Sequence, residues 1–268
     1  FISVMLLIAT MFLGFNACSD DEPIKGNTAI GSQIKKMTFG NYLTADISYK
    51  DSKPTGSKIY SPYFPLLHAD VTVSYQDNKI VVTSKGNDNE GFGLDGDWAL
   101  TYTLENGIAK NCVSKTPWEN ETVTSSFSYN SEGYLSKITA KTSSSTEVID
   151  FVYNNGNLIK YDYTDSNNYK TTYTITTSNI ENKSKFPIEL YTIATEIAGG
   201  RNLMFNSLYL SYLGVFGKTS VNLPQKVSWK YYNESENCSF TYKTDENGNI
   251  ASVKANYDGE AMNFSFSY

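Results

Sequence analysis

Side chains able to do chemistry are few and scattered along this chain. His68 is the only histidine, so a histidine-based triad or a multi-histidine metal site is difficult to assemble, and beside Leu66 and Leu67 the residue reads as structural. Four carboxylates, Asp88, Glu90, Asp95 and Asp97, share a glycine-rich stretch at 86–97. Paired acids could hydrolyse a glycoside, and their oxygens could hold calcium; a solvated acidic loop is the plainer reading. The EF-hand spacing fails there, and again at Asp245-Glu-Asn247-Gly-Asn249, where the glycine comes before a third ligand. Gly217-Lys218-Thr219 has Tyr212 five positions upstream, where a phosphate loop requires glycine, so nucleotide binding is rejected. No catalytic residue, metal or cofactor is expected.

Aromatic side chains offer recognition instead. Trp118, in Thr116-Pro-Trp-Glu-Asn120, and the patch Tyr60, Tyr63 and Phe64 could stack on sugar rings if exposed. Trp98 and Trp229 lie in alternating apolar and polar runs and are expected in the core. Cys112 and Cys238 either form one disulfide or remain two buried thiols; spacing alone leaves both open.

Cys18 has a different chemistry. It follows a charge-free apolar run at 1–15 and the residues Asn16-Ala17, and it precedes Ser19-Asp20-Asp21-Glu22. A run of that length suits a signal sequence better than a spanning helix. The pattern resembles a bacterial lipobox, in which Cys18 becomes the acylated N-terminus, although Phe15 and Asn16 depart from the usual upstream residues. The acids Ser19-Asp20-Asp21-Glu22 resemble the signal that sends Bacteroidetes lipoproteins to the outer face of the outer membrane. Residues 1–17 are thus expected to be a signal peptide, 18–35 a flexible tether with too few apolar residues to pack, and 36–268 one folded domain.

The elements that position these residues are strands. With 21 Tyr and 14 Phe among many Ser, Thr, Val and Ile, the composition favours pleated surfaces over long helices. The unit Phe127-Ser-Tyr129-Asn-Ser-Glu-Gly133-Tyr-Leu135-Ser-Lys-Ile138 reads as a β-hairpin. Related corners stand at Asp77-Asn78, Asn106-Gly107, Asn155-Gly156, 164–168, 234–237, Asn247-Gly248 and Asp258-Gly259. Leu135 and Ile138 have opposite strand parity, which predicts a bulge just after the turn. The expected fold is mainly β, an antiparallel meander of hairpins forming a twisted, partly closed sheet or barrel. Polar residues on the opposite face, such as Ser126, Ser128, Lys160 and Asp162, argue against a lipid-facing band. Apolar spacing at 190–197 and 205–212 predicts a short helical insertion near 188–216, covering the apolar face.

The hairpins resemble the Tyr-Asp type of repeat, Tyr-Asn/Asp-x-x-Gly-x-Leu-x-x-Ile, of exported bacterial proteins. The stretch Gly217-Lys218-Thr219-Ser220-Val-Asn222-Leu223-Pro224 resembles the Gly-Lys-x-Ser-x-Asn-Leu-Pro signature of a Bacteroidetes surface lipoprotein family of unknown function with a porin-like β fold. The resemblance implies no catalytic residue. With a formal charge of -6 and no basic block, a nucleic-acid partner is not expected. The expected function is that of a lipid-anchored outer-membrane protein facing the cell exterior, a non-enzymatic binding module for glycan or protein. The alternatives are a carrier holding a small apolar ligand between sheet and helices, and a glycan-active hydrolase using the acids at 86–97.

Overall fold

The computed structural model describes residues 33–40, 43–51, 53–63, 68–87, 96–115, 122–184, 213–231, 234–257 and 259–268. Alternation drives these segments into sixteen strands: β1 (Lys36–Phe39), β2 (Leu43–Lys50), β3 (Lys53–Tyr60), β4 (His68–Gln76), β5 (Lys79–Asn87), β6 (Gly96–Glu105), β7 (Ile108–Lys115) and β8 (Thr122–Tyr129). The second half comprises β9 (Leu135–Lys141), β10 (Thr146–Asn154), β11 (Asn157–Thr164), β12 (Lys170–Glu181), β13 (Asn222–Tyr231), β14 (Glu234–Thr244), β15 (Ile250–Tyr257) and β16 (Glu260–Ser267). Every strand pairs antiparallel with its sequence neighbours, and β1 pairs with β16, so of the two expected forms, partly closed sheet or barrel, the meander adopts the closed barrel.

The corners follow from backbone chemistry. Asn106 and Gly107, and Asn155 and Gly156, all hold positive φ, the type I′ geometry whose twist matches the flanking strands. Three longer corners are built alike, at 130–134, 165–169 and 245–249. In each, the leading Asn130, Asp165 or Asp245 accepts through its side chain the N–H groups two and four residues on, at 2.7–3.1 Å.

A register shift after the β8–β9 corner leaves Ser136 without an opposite residue, since Ser128 faces Lys137 and Tyr129 faces Leu135. This is the expected bulge, and it lets Leu135 and Ile138 both point inward. The same single-residue shift recurs in β2–β3, β6–β7, β10–β11 and β14–β15. One expected corner is misplaced. Residues 234–237 begin β14 and pair with 228–231, because Glu236 and Cys238 alternate inward in step with Trp229 and Val227. The helices expected at 190–197 and 205–212 lie outside the described residues; Val215 and Phe216, at the end of the expected insertion, are not helical.

The inward face is one apolar cluster. A round barrel of sixteen strands normally leaves an aqueous channel, yet inward-facing Val82, Tyr102, Ile138, Ile149 and Tyr161 are 0% exposed. Each such large side chain contributes about 1.5–3 kcal/mol by leaving water. A row of rings, Phe151, Tyr161, Tyr173, Trp229 and Tyr257, crosses the inner wall from β10 to β15, with Tyr161 and Tyr173 stacked at 4.4 Å. Trp98 and Trp229 are buried, as expected.

The outward face is mainly Ser, Thr, Lys, Asp and Asn, including Ser126, Ser128 and Lys160, with exposed apolar side chains such as Val152 among them. One outward acid is itself enclosed: Asp162 accepts from Thr172 at 2.6 Å, Lys160 at 2.9 Å and Lys170 at 3.0 Å. Burial alone would raise its carboxyl; the three donors outweigh burial and hold it at about 2 against an ordinary 3.8. Because the folded value is depressed, this contribution is complete above about pH 4 and is lost as pH falls toward 2. Both lysines are well exposed, so the contribution is on the order of 1 kcal/mol. Urea titrations of wild type and Asp162→Asn are expected to differ by that amount at neutral pH and to converge near pH 2.

Candidate functional site

Strand direction sorts the connections onto two ends of the barrel. The tight corners at 51–52, 77–78, 106–107, 130–134, 155–156 and 245–249 share one end, the turn end, with the start of β1 and the 182–221 crossover. The connections at 40–42, 61–67, 88–95, 116–121, 142–145, 165–169, 232–233 and 258–259 share the other, the loop end.

The turn end is sealed by the signature segment. Val215 and Phe216 are buried, and Phe216 meets Tyr102 and Phe127 edge-on at 6.0 and 5.0 Å. Gly217 sits at φ +77, where an added Cβ would lie 2.3 Å from the Gly133 carbonyl. The Lys218 N–H donates to that carbonyl at 3.0 Å, and its ammonium lies 5.9 Å from the Tyr134 ring centre. Buried Ser220 accepts the Leu158 N–H at 3.0 Å. Asn222 and Asn157 exchange two hydrogen bonds, at 2.8 and 3.2 Å. Leu223 is buried, and Pro224 accepts from the Tyr242 hydroxyl at 2.7 Å. The Gly-Lys-x-Ser-x-Asn-Leu-Pro residues are therefore a latch clipping the crossover to β8–β9, β10–β11 and β14.

Tyr60 and Tyr63 stand at the loop end. Tyr60 closes β3 on the outer face, half-buried between its ladder partners Thr44 and His68. Tyr63 is 60% exposed, its N–H held by Ser61 at 3.2 Å. Phe64 and Trp118 lie outside the described residues, but the connections that carry them, 61–67 and 116–121, leave the barrel at this same end. Sequence reasoning missed Tyr169, 54% exposed in the 165–169 corner, which turn composition alone does not distinguish from a packed tyrosine. Cys18, Ser19, Asp20, Asp21 and Glu22 lie outside the described residues.

Asp88, Glu90 and Asp95 lie outside the described residues, and Asp97 stands opposite Lys85 in the ladder. Two acids that sequence reasoning passed over point inward, and strand parity with Ile149 and Cys238 would have found them. Glu147 accepts from Tyr163 at 3.0 Å, and Glu236 accepts from Tyr257. Burial, and then the Glu147 charge, push the Tyr163 phenol far above its ordinary range. These acids stand on β10 and β14, four strand spacings apart, on the order of 15–20 Å. A glycosidase pair needs about 5–10 Å.

Cys112 and Cys238 are both buried and are not joined by a disulfide. Burial pushes the Cys112 thiol up to about 12, so it stays protonated and unreactive at neutral pH. Among the described residues no group of three or more His, Cys, Asp or Glu could hold a metal.

Comparison with solved structures returns porin-like proteins. One from Bacteroides uniformis is 21% identical, with a TM-score of 0.63, covering 87% of this chain and 97% of its own. One from Bacteroides vulgatus is 15% identical, with a TM-score of 0.61, covering 88% and 98%. At these identities the likeness concerns the fold. No curated protein matches the chain. A family profile does, over residues 34–252, from the first buried residue before β1 into β15. The chain belongs to that family, DUF4595, a domain of unknown function with porin-like fold.

Proposed function

We propose that this chain is a lipoprotein of the outer membrane, anchored through Cys18 and facing the cell exterior, whose barrel is a non-enzymatic binding module for a glycan or protein. The observation that carries the reading is the division of labour between the two ends. The chain enters β1 at the turn end, so a tether from Cys18 attaches there, while Tyr60, Tyr63 and the connections bearing Phe64 and Trp118 gather at the far end. Export past Ser19-Asp20-Asp21-Glu22 would present that end to the medium. The porin-like fold is compatible with an outer-membrane address.

The carrier reading has one observation in its favour. Ser57, Ser84 and Ser114 face inward, buried, with hydroxyls that have no hydrogen-bond partner among the described residues, and such groups would welcome the polar end of an enclosed ligand.

The test uses the native host. Mass spectrometry of the purified protein is expected to find diacyl- or triacyl-cysteine at Cys18 and a loss of membrane association in Cys18→Ser. Screening the same material against immobilised glycans is expected to give a ligand whose binding falls about tenfold or more in Tyr63→Ala with Trp118→Ala, given about 1–3 kcal/mol per stacking aromatic. Unmodified Cys18 would sink the anchor, and unaltered binding in the double variant would sink the loop-end site.

A further inference from the structure

Lysines on the outer wall differ in what lies beside them. Over β1 to β12 several stand beside acids, Lys36 with Asp46 at 3.8 Å, Lys137 with Asp150 at 3.1 Å, Lys160 and Lys170 with Asp162, while Lys79, Lys115 and Lys141 are scattered singly among uncharged ladder partners. Lys58 lies opposite both Asp46 and Asp70 in the ladder. Over β13 to β15 the pattern stops. Lys226, Lys230, Lys243 and Lys254 are exposed, and their ladder partners are Thr176 and Ser239, Ser235, Ser252, and Thr241 with Asn263. None of the four forms an ion pair among the described residues.

Nearby acids are turned away, engaged or at the strand ends, where Glu234 opens β14 and Glu260 opens β16, both at the loop end. Glu236 faces inward to Tyr257. Asp245 is used by its own corner, where the N–H groups of Asn247 and Asn249 hold it, and Glu246 lies beyond the strand ends. A chain with a formal charge of -6 thus carries one wall region of four positive charges set among hydroxyls and amides. Register places Lys226, Lys254 and Lys243 in a staggered band over β13 to β15, neighbours roughly 8–12 Å apart from strand and residue spacing.

We infer that the outer face of β13–β16 binds an acidic polysaccharide, whose repeated carboxylate or sulfate groups meet the lysine band while Ser239, Thr241, Asn256 and Asn263 exchange hydrogen bonds with its hydroxyls. Every aromatic of these strands whose side chain is described points inward, so the face offers no ring for a nucleobase to stack on. This surface lies on the barrel wall and does not depend on the loop-end site. Lysine there acts as a set of point charges, so affinity falls with salt.

The test measures binding of the full chain to polygalacturonate by calorimetry at about 50 and 200 mM salt. Wild type is expected to bind and to weaken about tenfold or more across that range, as release of several counterions requires. The quadruple variant K226Q/K230Q/K243Q/K254Q is expected to lose about tenfold or more, while K36Q/K58Q/K137Q/K160Q stays within about twofold. The same four positions changed to arginine should retain binding, which separates lost charge from lost fold. No binding by wild type, an equal loss in the control quadruple, or a preference for a single-stranded oligonucleotide or anionic vesicles over the polysaccharide overturns the proposal.

Discussion

Gly217→Ala is expected to lower the unfolding free energy by about 3–5 kcal/mol, read as a shift of the urea midpoint at constant slope. Two penalties add at this position. The backbone holds φ +77, which costs a residue with a side chain on the order of 1 kcal/mol or more. The new methyl would also lie 2.3 Å from the Gly133 carbonyl and 3.2 Å from the Tyr129 ring, so the latch must lift from the β8–β9 hairpin. Lifting it takes with it the Lys218 N–H bond to Gly133 and exposes Phe216, packed at 5.0 Å from Phe127. Gly214 supplies the control. It also has positive φ, +67, but nothing lies within 4 Å of an added Cβ, so Gly214→Ala is expected to cost only about 1 kcal/mol. Equal losses in the two variants would show that the latch contributes nothing beyond backbone preference.

The second large effect concerns membranes. Despite its porin-like fold, the barrel is expected to conduct no ions when the full chain is added to planar bilayers, with currents indistinguishable from protein-free controls. Its polarity is the reverse of a pore's. A spanning barrel turns an apolar band to lipid and a polar lining to the lumen; here Val82, Ile138 and Tyr161 fill the inside, and lysines stud the outside. Mid-strand Lys58, Lys137, Lys160, Lys226 and Lys254 would each cost about 2–4 kcal/mol at a bilayer midplane, on the order of 10 kcal/mol or more together. Unitary current steps would refute this account of the wall and the core at once.

Much of this architecture was legible locally. The β8–β9 hairpin declares itself by alternation, and the mismatch in parity between Leu135 and Ile138 already contained the bulge. Buried Trp98 and Trp229 followed from their places in alternating runs. The corner expected at 234–237 failed because Asn, Ser and Glu suit both a turn and an outward-facing strand residue, and only pairing with β13 separates the two. Complete closure was not legible: whether β1 meets β16 depends on accumulated twist and stagger over all the strands, which no window of residues encodes. The signature at 217–224 could be seen as a pattern, but its role could not, since its partners Gly133, Leu158, Asn157 and Tyr242 are remote in sequence and polar residues at fixed spacing look alike whether they grip a ligand or a neighbouring hairpin. Tyr63 was legible as an aromatic candidate but its exposure was not, and the inward acids Glu147 and Glu236 were legible in principle from parity.

Short β1 has a consequence for life in a crowd. By pairing on one side with 43–46 of β2 and on the other with 264–267 of β16, four residues close the ladder, so that every strand has a partner on each side. Unpaired strand flanks are what allow one β protein to recruit another into a growing fibril. Many copies packed side by side would therefore find in one another only short stretches of free backbone beside β1, which is little template on which to polymerise.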